Sequence, residues 1–139
     1  MIDDGAALTD EEIYQLAPFA GLLGVEFLEL RPELVKAQLA ARKELSTLGG
    51  AMHGGALMGL CDLSIAVCVG LNLKPGHTMT TAESTTYFLR AMRGSSAIAL
   101  AKPIKIGRSM VYAEVDVHDD SGNHCARTCQ AVAILPPRS

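Results

Sequence analysis

Two hydrophobic rhythms divide this chain. In the stretch "LVKAQLAAR", Val35, Ala37, Leu39 and Ala41 alternate with Lys36, Gln38 and Arg42. A period of two predicts a strand with one buried face. "MVYAEVDVH" repeats it, with Val111, Ala113, Val115 and Val117 set against Tyr112, Glu114 and Asp116. Between them, from about Ala56 to Leu73, the residues are apolar nearly all round. That run lacks alternation and is too long for a strand, which predicts a helix buried on all sides.

The remaining segments fit round these. "GVEFLEL" is a strand, joined to the next by a turn at "RPE", residues 31–33. "STLGGAMHGG" is a glycine-rich loop, and "KPGH" at 74–77 ends the helix. "TMTTAESTTYFLRA", rich in Thr and aromatics, and "SSAIALAKPIKIG" are strand-like, with Pro103 hinting at an edge or a bulge. "DDSGN" is a hairpin turn, and "HCARTCQAVAIL" closes the sheet. Near the start, Thr9 is a helix N-cap with Glu12 at capping-box spacing and Leu8 and Ile13 as a hydrophobic staple; this helix should end near Pro18. The order is strand, strand, long helix, four strands. It predicts an α+β domain, an antiparallel sheet with the helix on one face, spanning residues 1–139 with an N-terminal helical segment at 1–20 and a tail at 136–139.

Composition narrows the functions. The 139 residues are about half apolar, enough for a core, and the net charge of −3 gives no footprint for nucleic acid. No basic cluster suggests a membrane surface. The acidic start "MIDDGAALTDEE" lacks a signal pattern, which points to the cytoplasm. Residues 56–73 could just span a bilayer by length, but Gly59, Asp62, Ser64, Gly70 and Asn72 make that a poor span. Cys61, Cys68, Cys125 and Cys129 read as buried, reduced thiols; Cys125 and Cys129, with His124 adjacent, do not make a paired C-x-x-C pattern, so no metal is expected.

The chemistry gathers at "GGAMHGGALMGLCD", residues 49–62. A helix N-terminus offers free N–H groups and a partial positive charge. Gly54 and Gly55 let an oxygen approach that backbone, with His53 beside them as a further donor, which together describe an oxyanion hole. Asp62 has no Lys or Arg near it in sequence, since none occurs between Lys43 and Lys74. An unpaired carboxylate is costly in a dry core, so it faces a wet cleft or finds a distant partner. In a cleft it can act as base or nucleophile. Eight residues along one helix put Gly54 and Asp62 roughly 12 Å apart, too far to meet one carbonyl. Two antiparallel copies across a two-fold axis would bring donors from one subunit to Asp62 of the other. A bland reading stands beside this: a tight turn, and an Asp paired with a backbone or hydroxyl group.

"HGGALMGLCD" resembles the H-G-G-x(6)-D segment of hotdog-fold acyl-CoA thioesterases of the PaaI-like group. "TTAESTTYFLRA" and "GRSMVYAEVDVHDDSGNHCARTCQAVAIL" resemble the strands that follow the helix there, and the match covers roughly residues 24–135. The resemblance implies a hotdog fold, a curved antiparallel sheet wrapped round one long central helix. It implies a homodimer, often paired again into a homotetramer, that hydrolyses an acyl-CoA thioester to an acid and free CoA, with no metal or organic cofactor. By position, Asp62 is the base or nucleophile. The Gly54 amide, with Gly55 or His53, polarises the carbonyl, and Thr81 holds the attacking water. Thr47 stands where many members carry Asn or Gln near the thioester, and Ala91 where proline is common. Arg90 and Arg108 are candidates for the CoA phosphates, because a guanidinium suits them.

Three other readings compete. A hotdog hydratase needs an Asp and a His close together after the helix start, but no histidine follows Asp62 until His77. A non-catalytic acyl-CoA sensor is usually fused to a DNA-binding segment. A dimerisation module with a vestigial site is the third.

Overall fold

The computed structural model describes residues 8–139, so the "MIDDGAA" part of the expected N-terminal segment lies outside the described residues. Thr9 caps α1 (Asp10–Leu16) through a complete capping box: its hydroxyl accepts from Glu12 N–H at 3.2 Å, and the Glu12 carboxylate accepts from Thr9 N–H at 2.9 Å. As expected, α1 ends near Pro18, at Leu16, but Pro18 does not begin a loop. It opens a second short helix, α2 (Pro18–Leu23), because a proline at the first helical position lacks only an N–H with no helical partner.

Strands β1 (Glu26–Arg31) and β2 (Leu34–Ala40) form the first hairpin, and the chain then crosses through α3 (Gly54–Gly70). Four strands follow: β3 (Thr78–Phe88), β4 (Ser96–Ile106), β5 (Met110–Asp119) and β6 (His124–Leu135). They make one six-stranded antiparallel sheet in the order β1-β2-β4-β5-β6-β3. This is the α+β hotdog arrangement, a sheet wrapped on a central helix. The α3 crossover therefore carries the chain from one side of the sheet to its far edge.

The inward rows are those the alternation predicted, except at Ala41, which lies past the end of β2 and is exposed. Val35, Ala37 and Leu39 on β2 and Val115 and Val117 on β5 are fully buried, as are Ala97, Ala99 and Ala101 on β4. Alanines along the middle strand let α3 lie close, and Leu60, Ile65 and Cys68 fill the space beneath it. Burying one such aliphatic side chain contributes about 1.5–3 kcal/mol, so this interface is the main source of stability. Pro103 lies on β4 beyond the last residue paired to β2, next to a bulge, so its missing N–H removes no ladder bond there.

Two features depart from the expected helix. It begins at Gly54 and ends at Gly70 rather than running 56–73, because the Asn72 side chain donates to the Cys68 and Pro32 carbonyls at 2.8 and 2.7 Å and closes its last turn. Nor is it buried all round: Gly55, Met58 and Asp62, spaced three and four residues apart, form an exposed stripe. Beside that stripe, β3 forms the sheet edge and is exposed along most of both faces. No helix of the described residues is long and apolar enough to cross a membrane.

Candidate active site

The loop before α3 is folded tightly. Gly49 and Gly50 both take positive φ, 83° and 85°, which lets Thr47 N–H reach the Ala51 carbonyl at 2.8 Å and Gly50 N–H reach Thr47 at 3.0 Å. His53 N–H then donates to the Leu45 carbonyl at 2.7 Å, anchoring the helix start. The imidazole is the N-cap: its Nδ1 accepts the Gly55 N–H at 2.8 Å. That bond narrows the expected donor set. Gly55 is occupied within the cap, and the Gly54 N–H has no partner among the described residues. With Nδ1 accepting, the ring proton sits on Nε2, a further donor on an exposed side chain.

The Gly54 amide opens into a cleft of about 430 Å³. Thr47 and Arg90 share its walls with Phe88, so three of the expected residues, Gly54, Thr47 and Arg90, meet there. The Phe88 ring lies over Gly54, where an added Cβ would come within 3.2 Å of it. Arg108 is elsewhere: it lines a pocket with Lys74 and His77, past the C-terminal end of α3. Within one protomer it does not join the cleft.

Asp62 is exposed on the helix stripe, not packed dry. Its Oδ1 accepts from the Thr81 hydroxyl at 3.1 Å and from the Gln130 side-chain amide at 3.0 Å. Both donors are neutral, and both bind the same oxygen, which leaves Oδ2 without a bond from the described residues. The pairing partner that the sequence left open is thus a hydroxyl and an amide. Thr81, expected beside an attacking water, bonds directly to the carboxylate.

Gln130 was not anticipated. It is 3% exposed, and its amide also donates to Ser84 Oγ at 3.0 Å, so it ties α3 to β3 from β6. A signal existed: in "TCQAV" the glutamine occupies an inward position of the alternation, where burial of an amide demands partners.

Cys61 adjoins Asp62 in sequence but is a poor nucleophile. Burial pushes its thiol up to about 11, and burial does the same to Cys68. The densest charge cluster, Arg127 with Glu114, Asp116 and His124, sits on the outer sheet face, away from Asp62.

The chain is similar to known proteins in sequence and in fold. Residues 49–126 match the sequence profile of the Thioesterase superfamily. A Mycobacterium tuberculosis protein provisionally named an esterase is 31% identical over 113 residues, covering 79% of this chain and 81% of that one. A Cronobacter turicensis protein named a proofreading thioesterase is 22% identical over 113 residues, covering 81% and 82%. Among solved structures, a Haemophilus influenzae thioesterase superposes with a TM-score of 0.87 at 20% identity, over 96% of this chain and 95% of that one.

Proposed function

This chain belongs to the thioesterase superfamily, a class of thioester hydrolases, and on that premise we propose that it hydrolyses an acyl-CoA thioester at sites shared between two subunits. Water enters as nucleophile. Asp62 Oδ2 removes its proton as the oxygen attacks the carbonyl carbon. The negative charge that forms on the carbonyl oxygen is held by the Gly54 N–H of the partner subunit, assisted by the His53 ring. The C–S bond then breaks, the proton passes to the departing thiolate, and the products are a carboxylic acid and CoA.

The observation that carries this reading is the division of labour along α3. Among the described residues, one end has an amide with nothing to donate to, and the middle has a carboxylate held by one oxygen with the other open. A fixed amide at a developing oxyanion contributes about 10²–10³ in rate, and a positioned base about 10²–10⁴. The two lie roughly 12 Å apart on one helix, so one copy cannot apply both to one carbonyl. The exposed helix stripe and the exposed edge strand β3 offer the surface for a two-fold partner, since a long unpaired edge invites pairing. Arg90 lines the Gly54 cleft, which supports its guanidinium as the partner of a CoA phosphate.

The test is release of free thiol from a panel of acyl-CoAs, beside Asp62→Asn. Turnover by the wild type and its loss in the variant is expected; equal turnover by both would remove Asp62 from the mechanism. A single turnover in ¹⁸O-water should place the label in the acid product and none in Asp62. Tight acyl-CoA binding without turnover would favour the sensor.

A further inference from the structure

An apolar recess of about 130 Å³ lies between α1, α3 and the start of β3. Ile13 and Leu16 of α1 face Leu63, Ala66 and Val67 of α3 across it, and Met79 of β3 closes one side. Every described side chain that lines it is apolar.

Its position follows from two elements that lead to it independently. Ala66 is one helical turn beyond Asp62 on the same face of α3, which sets the two side chains about 6 Å apart. Met79 is two residues before Thr81 on the same face of β3, a step of about 7 Å. The Thr81 hydroxyl and the Asp62 carboxylate are themselves hydrogen-bonded at 3.1 Å. Helix and strand therefore run from that bond to the recess together. A thioester whose carbonyl carbon stands within reach of Oδ2 has its acyl group at the recess mouth.

We propose that this recess is the acyl pocket, and that it takes a compact, unsubstituted apolar acyl group of about six carbons, benzoyl or hexanoyl in size. The inference rests on the thioesterase reading above. Its volume is near that of the roughly 150 Å³ apolar cavity known to accept a benzene ring. A ring hydroxyl there would lose water and find no partner among these side chains. A long chain would fill the recess and run out past Leu16, which is 59% exposed at its rim.

The test separates binding from turnover by using thioethers of CoA, which cannot be hydrolysed. Calorimetry on the whole chain should show S-benzyl-CoA binding at least about tenfold tighter than CoA, and about tenfold to a hundredfold tighter than S-(4-hydroxybenzyl)-CoA. Ala66→Leu fills the recess and should reduce the benzyl preference over CoA about tenfold. Leu16→Ala opens the rim at an exposed position, so its fold is secure, and should shift preference toward S-dodecyl-CoA. Equal affinity for the benzyl and hydroxybenzyl thioethers, or preferences that neither substitution moves, would overturn the pocket. Hydrolysis of benzoyl-, 4-hydroxybenzoyl- and palmitoyl-CoA at one common rate would also overturn it while leaving the thioesterase reading intact. Selective benzyl binding with no hydrolysis of benzoyl-CoA would do the reverse.

Discussion

The imidazole Nδ1 of His53 accepts the backbone hydrogen of Gly55 at 2.8 Å, and so singles out Gly54 as the donor at the start of α3. Gly54 is the first residue of the helix, the one interior position where proline is well tolerated. His53 already has the extended backbone, φ −61° and ψ 138°, that a following proline requires. Gly54→Pro therefore deletes the N–H while keeping the helix. Gly54→Ala adds a Cβ against Phe88 but keeps the N–H. The expected outcome is a loss of about 10²–10³ in kcat for the proline variant and a much smaller loss for alanine. Similar losses in both would show that the Phe88 contact, not the amide, matters.

Gln130 holds Asp62 in place from another strand. Gln130→Leu keeps the volume and removes the donor, which should lower kcat about tenfold, while circular dichroism remains native. Gln130→Glu sets a second carboxylate where the amide stood, 3.0 Å from Asp62 Oδ1. Repulsion should make it the slower of the two at neutral pH. A glutamate variant as active as wild type would deny Gln130 a positioning role.

Shared sites predict complementation. Asp62→Asn and Gly54→Pro should each be nearly inactive alone. After mixing and subunit exchange, half the dimers are hybrids with one intact site of two, so activity should return to about a quarter of wild type. No recovery, with exchange verified by mass spectrometry, would place both groups in one chain's site.

The buried thiols predict a decline of stability at high pH. Cys61 rises from the ordinary 9.0 to about 11 through burial. Between these values the unfolded chain releases the thiol proton and the folded chain retains it. The unfolded state then binds fewer protons, so unfolding becomes easier as pH rises. A shift of this size corresponds to about 3 kcal/mol, fully present below about pH 9 and lost by about pH 11. Cys68 shifts the same way and adds to the slope. Urea midpoints measured across that window should fall, and Cys61→Ala should flatten the fall. An unchanged slope in the variant would mean that this thiol is open to solvent.

The sequence alone determined what short-range periodicity and capping can express. The alternation at Val35–Leu39 and at Val111–Val117 fixed which strand faces turn inward, and the Thr9–Glu12 pair fixed where α1 begins. The glycine-rich lead into α3 and the charge at Asp62 marked a site, because a helix start and an unpaired carboxylate are local features. Tertiary structure decided the rest. Asp62 meets Thr81 and Gln130, nineteen and sixty-eight residues away, only because the crossover places β3 at the sheet edge and β6 beside it. The same topology leaves Arg90 in the Gly54 cleft and sends Arg108 to the opposite end of the helix. Even the choice of Gly54 over Gly55 depended on the turn of one imidazole. Residue spacing carries the period of an element, but sheet register and side-chain rotamer set which distant groups touch, and neither is written in neighbouring letters.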